Sequence, residues 1–239
     1  MNRRVGILST IRAPLLPLQL RALYDRGIDD LAVVLDSRGL SDADVARFRE
    51  RTRGAFDDAG ITLDDFADRG LPFHFVRSHN HADCAALLAR LDCALLVNAG
   101  TPRKLGRAIL DAPRQGVLNV HPGILPKYRG ATCVEWALYH DDPVGNTAHF
   151  MTEEYDAGPI LATEAYRFAR GADYVDIRVR IYRESIRLMA DTLAELLDHG
   201  TCIADCTPQP DGAAFTPIPD TLFREALDRL KSGNYSHVD

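Results

Sequence analysis

Short apolar runs alternate with helix-patterned segments through the first half of this chain, and that alternation constrains the fold more than any other feature. Val5–Leu8, Leu31–Leu35, Phe73–Val76, Ala94–Val97 and Val117–Val120 read as buried strands. Between them, Leu15–Arg26 sets Leu16, Leu20 and Leu23 on one helix face. A longer helix starts at Ser41, with Asp44 three residues on as its capping-box partner. Further helices fall near Ala82–Arg90 and Lys104–Asp111. Regular strand–helix alternation predicts an α/β fold: an open, mostly parallel twisted sheet with helices on both faces.

The pattern changes after residue 145. Asn146–Met151 and Ile160–Phe168 read as strands joined by a short acidic loop containing glycine. Asp173–Leu197 carries Val175, Val179, Tyr182, Ile186, Met189, Leu193 and Leu196 at spacings of four and three, one apolar stripe of a long helix. That stripe could pack on its own sheet or into a homodimer. Thr207–Pro219 is Pro/Gly-rich and reads as a loop, and Thr221–Lys231 as a last short helix. We expect one catalytic domain over 1–205, followed by a C-terminal loop and short helix over 206–239.

At 239 residues and 46% hydrophobic, the chain can build a sizeable core. A net charge of −6 argues against a general nucleic-acid binder. No stretch approaches the roughly 20 apolar residues of a membrane span, and the N-terminal apolar run breaks at Arg12 and Pro14. Five irregularly spaced cysteines give no disulfide framework and fit a reducing, cytoplasmic setting. Cys202 and Cys206 have no second ligand pair nearby, so no metal is expected. His79-Asn80-His81 reads as a surface turn.

The chemistry concentrates at residues 117–130, VLNVHPGILPKYRG. Val117–Val120 runs into Pro122–Gly123, which sets Asn119 and His121 two apart at the strand's C-terminal end, on the same face. Ligands of open parallel sheets bind beyond such strand ends. An amide can donate to a carbonyl oxygen gaining charge, and an imidazole can move a proton near neutral pH. Asp156, in EEYDAGPIL, is a candidate third member. The same residues also fit plain turn chemistry.

NVHPGILPKYRG followed by HFMTEEYDAGPIL resembles the folate-dependent formyltransferase family. The resemblance is clearest from about Val97 to Ala165. It implies the Rossmann-like fold of that family, 10-formyltetrahydrofolate as co-substrate, and Asn119, His121 and Asp156 as the catalytic trio. It further implies that Asn119 and a protonated His121 stabilise an oxyanion while Asp156 holds the histidine. Pterin contacts would come from Pro102, Arg103 and Leu105, from Ile124, and from Glu153, Glu154 and Tyr155, largely through backbone groups. Leu105 and Ile124 would form an apolar wall, although core burial accounts for them equally well.

The acceptor is less constrained. Family members that act on glycinamide ribonucleotide carry a Gly- and Ser-rich loop after the first strand to cradle phosphate; here it reads Leu8-Ser9-Thr10-Ile11-Arg12-Ala13-Pro14. Ser9, Thr10 and Arg12 could contact an anionic substrate group, or simply form a strand-to-helix turn. An acidic chain with a short C-terminal segment argues against tRNA. A start directly on the first strand argues against hydrolysis. A nucleotide-linked amino sugar is therefore the expected small-molecule amine, with glycinamide ribonucleotide as the alternative. The segment Ser37–Phe75 could help shape its pocket or be a solvated face. An oxidoreductase would need G-x-G-x-x-G after the first strand, where Gly6 stands alone. A catalytically silent folate-binding module is the other class.

Overall fold

A computed structural model describes residues 3–58, 60–101 and 103–239. Five strands, β1 (Val5–Thr10), β2 (Leu31–Asp36), β3 (Phe73–Val76), β4 (Leu95–Asn98) and β5 (Val117–His121), form the parallel part of one sheet. The antiparallel strands β7 (Val144–Phe150) and β8 (Ile160–Tyr166) extend it, giving the order β3-β2-β1-β4-β5-β7-β8. The intervening β6 (Arg129–Gly130) lies outside this sheet and pairs with β9 (Ala214–Phe215). The predicted strands are all present, with ends shifted by one or two residues.

Strand alternation builds two cores. Val5, Ile7, Val33, Leu35, Leu95, Val97 and Leu118 point to one face and meet α1 (Leu16–Tyr24), α3 (Leu63–Ala67) and the C-terminal half of α7 (Tyr174–His199). Leu8, Val34, Leu96 and Val117 point to the other and meet α4 (Ala82–Leu91) and α5 (Arg107–Leu110). Each fully buried Leu or Val contributes about 1.5–3 kcal/mol relative to exposure. A third cluster joins α6 (Cys133–His140) and α8 (Asp220–Lys231) to the first turns of α7.

Three differences from the sequence reading have physical causes. Residues 104–106 are not helical, because the Asn80 side chain holds them: Nδ2 donates to Lys104 O at 2.8 Å and Oδ1 accepts from Gly106 N at 2.7 Å. The first half of α7 is rotated from the expected stripe. Ile177, Arg178 and Ile181 are buried there, while Val175, Val179 and Tyr182 are only half-buried. The helix is covered on two sides, by the sheet and by α2 (Asp42–Thr52), whose Phe48 ring lies 5.0 Å from that of Tyr182. Finally, His79 is not at the surface: it is 3% exposed, with Nε2 3.0 Å from Val34 O. Ser41 caps α2 as expected, accepting from Asp44 N at 3.1 Å.

Candidate active site

β5 sits where the sheet changes from parallel to antiparallel, and this juxtaposition creates the site. Its register pairs Asn119 with His149 and His121 with Thr147 of β7. Thr147 fixes the turn beyond His121: its Oγ1 donates to Gly123 O at 2.8 Å and accepts from Leu125 N at 3.1 Å. His121 is 5% exposed, and its Nε2 lies 2.7 Å from Tyr128 O. A carbonyl only accepts, so Nε2 carries a proton and Nδ1 is the nitrogen turned toward Asp156. Asp156 arrives from the β7–β8 loop in a left-handed conformation, φ 51°. Its Oδ2 stands 3.3 Å from His121 Nδ1 and accepts from Gly130 N at 2.8 Å.

Asn119 is oriented by a chain of hydrogen bonds with backbone groups at both ends. Thr101 N donates to Asn98 Oδ1 at 2.9 Å, and Asn98 Nδ2 donates to Asn119 Oδ1 at 2.9 Å. Asn119 Nδ2 donates to His149 Nε2 at 3.0 Å, and His149 Nδ1 donates to Phe150 O at 2.9 Å. An N–H can only donate and a carbonyl can only accept, so the direction of every link is fixed. One N–H of Asn119 is consumed, and the other has no partner among the described residues. The resemblance places Asn98 only in the loop after β4, beside the cofactor, and gives His149 no role. His149 lies inside the quoted HFMTEEYD segment, but only the antiparallel register puts it beside Asn119.

Burial lowers the pKa of His121, and the Asp156 carboxylate opposes that shift without cancelling it. Burial thus disfavours the protonated ring, while the carboxylate beside Nδ1 favours it. Burial pushes His149 down to about 4, against the raising influence of Asp156. Folding thus favours the neutral ring. The stability this contributes is complete above the ordinary 6.5 and is lost as pH falls from 6.5 through about 4. Thermal midpoints should fall across that window. His149→Gln, which keeps a neutral acceptor for Asn119, should flatten the fall; an unchanged slope would remove His149 as its cause.

The remaining candidates separate into two groups. The loop after β4 and the loop 152–156 face each other: Lys104 Nζ lies 5.0 Å from the Tyr155 ring centroid, and Arg107 Nη1 lies 4.0 Å from Glu153 Oε2. Glu153, Glu154 and Tyr155 are exposed and Ile124 is half-buried. Arg103 is exposed, and its guanidinium reaches Asp36 Oδ2 at 3.1 Å. Pro102 lies outside the described residues. Leu105 is 2% exposed and packs with Leu96 and Ile109, so its side chain belongs to the core and not to a pocket wall.

The hydroxyls of Ser9 and Thr10 are turned into the sheet and not toward solvent. Both are fully buried, and their hydroxyls donate to Ala99 O at 2.7 Å and Asp36 O at 3.1 Å. Arg12 is exposed and pairs with Asp42 at 2.6 Å. Two amides here are also taken, Ala13 N by Thr10 O and Leu16 N by Ala13 O.

Comparison with known proteins gives a consistent result. The family model described as formyl transferase matches residues 40–193. The methionyl-tRNA formyltransferase of Pelotomaculum thermopropionicum is 30% identical over 209 residues, covering 86% of this chain and 63% of that protein. That of Deinococcus radiodurans is 31% identical over 163 residues, covering 66% and 48%. The chain spans between 28% and 63% of the length of such curated relatives. Among solved structures, glycinamide ribonucleotide transformylase 1 from Symbiobacterium toebii has a similar fold, with TM-score 0.62, 23% identity and coverage of 82% and 88%. A sugar N-formyltransferase from a Shewanella species matches with TM-score 0.59, 18% identity and coverage of 95% and 87%.

Proposed function

Because the chain belongs to the formyl transferase family, we propose that it transfers a formyl group from 10-formyltetrahydrofolate to a primary amine, with Asn119, His121 and Asp156 as its catalytic residues. The observation that carries this reading is the hydrogen-bond chain that leaves one N–H of Asn119 beside the His121–Asp156 pair. The folate supplies an activated formyl carbon. In this reading the flat heterocycle of the folate lies between the loop after β4 and the loop 152–156, with backbone groups of Arg103, Leu105 and Glu153–Asp156 toward its polar edge and Ile124 at its side. Asn119 Nδ2 donates to the formyl oxygen as charge develops on it. His121 Nδ1 accepts the proton released by the attacking amine, and Asp156 stabilises the resulting imidazolium. His121 then returns that proton to the departing nitrogen. No covalent enzyme intermediate is needed.

For the acceptor, a nucleotide-linked amino sugar remains our reading, with glycinamide ribonucleotide as the alternative. Three arginines stand on loops at the same edge of the sheet as the trio: Arg12 after β1, Arg38 after β2 and Arg103 after β4. Arg38 and Arg103 share the single carboxylate of Asp36, at 3.9 and 3.1 Å. This local excess of positive charge supports an anionic acceptor despite the net charge of −6. The occupied amides and hydroxyls of the β1–α1 turn weigh against a phosphate cradle there. A second reading, methionyl-tRNA, is favoured by the names of the curated relatives.

Incubation of the protein and 10-formyltetrahydrofolate with amino-sugar nucleotides, glycinamide ribonucleotide and methionyl-tRNA, followed by mass spectrometry, tests these readings. We expect one amino-sugar nucleotide to gain a formyl group in place of hydrogen. A tRNA acceptor would show a steep decline of rate with salt. Consumption of the folate with no acceptor formylated would overturn transfer in favour of hydrolysis.

A further inference from the structure

The segment 206–239 reaches the catalytic loop directly. Gln209 Nε2 donates to Asp156 O at 3.1 Å and to Gly158 O. Its Oε1 accepts from Arg129 Nη2 at 2.8 Å and Nε at 3.3 Å. Arg129 is 3% exposed, and its guanidinium also donates to Pro210 O at 2.8 Å and Gly212 O at 3.3 Å. The same stretch adds β9 to β6 in parallel, pairing Arg129 with Ala214 and Gly130 with Phe215. Gly130 N is the donor that holds Asp156 Oδ2. The two residues flanking the Arg129–Gly130 bond thus grip the Asp156 loop, one directly and one through Gln209.

Asp156 needs such a grip. A left-handed conformation strains a non-glycine residue and persists only where its surroundings over-determine it. Its neighbours Glu153, Glu154 and Tyr155 are exposed and cannot hold it by packing. We propose that Gln209 is a positioning residue of the active site: it fixes the backbone of Asp156 from below and so sets the distance of the Asp156 carboxylate from His121. The tail is then part of the catalytic apparatus, not a peripheral extension. The kinetic consequence rests on the formyl-transfer reading; the geometric claim does not.

The test follows the titration of His121 by NMR in protein carrying labelled histidine, which needs neither folate nor acceptor. The charged or titratable groups facing His121 are Asp156 from the β7–β8 loop and His149 from β7, with Arg129 from β6 acting on His149; Cys133 from α6 lies across Gly123, a thiol kept neutral by burial. Asp156 is the larger of the two influences that raise the His121 value, the other being the hydrogen bond to Tyr128 O, which Gln209 does not touch. Gln209→Met keeps the volume and removes the polar grip, so the His121 midpoint should drop by about half a pH unit or more. Gln209→Met added to Asp156→Asn should bring no further drop. Turnover with the acceptor found above should fall about 10-fold or more, since a displacement near 1 Å is costly in a preorganised site.

Trp136, the chain's single tryptophan, donates to Thr216 O of the tail at 2.9 Å, so its fluorescence reports whether the tail stays docked. If Gln209→Met loses that signal, Gln209→Asn, which keeps the amide on a shorter arm, carries the measurement and should give an intermediate shift. A wild-type His121 midpoint in the docked variant overturns the proposal. So does an equal shift in the Asp156→Asn background, which would indicate general loosening. An altered midpoint with no formyl transfer by the wild type would sink the functional reading and leave the positioning role standing.

Discussion

Replacing Asn119 by alanine should lower turnover by about 10²–10³-fold, the usual cost of one oxyanion donor. The expectation follows from the fixed polarity of its hydrogen bonds. Asn98 is freed of its acceptor by this change, but it stands on β4, one strand away, with its oxygen still held by Thr101 N. His149 cannot substitute, because its single proton sits on Nδ1 against Phe150 O. A water entering the vacated space would donate, but without preorganisation. The measurement is kcat with 10-formyltetrahydrofolate and the identified acceptor, alongside a folate-binding titration. Binding should change little, since the lost interaction strengthens only as charge builds on the oxygen. Near wild-type turnover in Asn119→Ala would remove the oxyanion role and the mechanism with it.

What could be read from sequence follows the range of the interactions involved. Strand–helix alternation is local, so the parallel sheet and its order of elements were legible. The pair Asn119 and His121 was legible because two residues apart on a strand share a face. His149 was not, since its role depends on which strand lies beside β5 and in which register. Gln209 depends on a contact across 53 residues to Asp156, and it sits in a Pro/Gly-rich stretch that reads as loop. Ser9 and Thr10 carry the right chemistry for an anion, but their hydroxyls are spent on Ala99 and Asp36 across the sheet. The stripe on α7 rotates because a second layer, α2, claims part of it. In each case the hidden information is a tertiary partner, not a local propensity.

Gly158→Ala should cost about 3 kcal/mol, the upper end of ordinary overpacking. An added Cβ would lie 1.9 Å from Phe150 O and 2.9 Å from the Phe150 carbonyl carbon. Neither atom can retreat easily. Phe150 is fully buried in the main core, and its strand is clasped by β5 on one side and β8 on the other. Its amide is also bonded to Pro159 O at 3.0 Å, which closes the loop carrying Asp156. The loop must therefore give way, and Gly158 O is one of the two carbonyls that Gln209 holds. Displacement would carry Asp156 away from His121. For a chain of this size the melting midpoint should drop by roughly 6–12 °C, and turnover of the protein still folded at lower temperature should fall as well. Gly171→Ala is the control: its φ is +87° but nothing lies within 4 Å of the added Cβ, so it should cost only about 1–2 kcal/mol of backbone strain and leave turnover intact. A Gly158→Ala protein that melts and turns over like the wild type would mean that this close approach does not hold the catalytic loop. The position of Asp156 would then have to be secured by Gly130 and Gln209 alone.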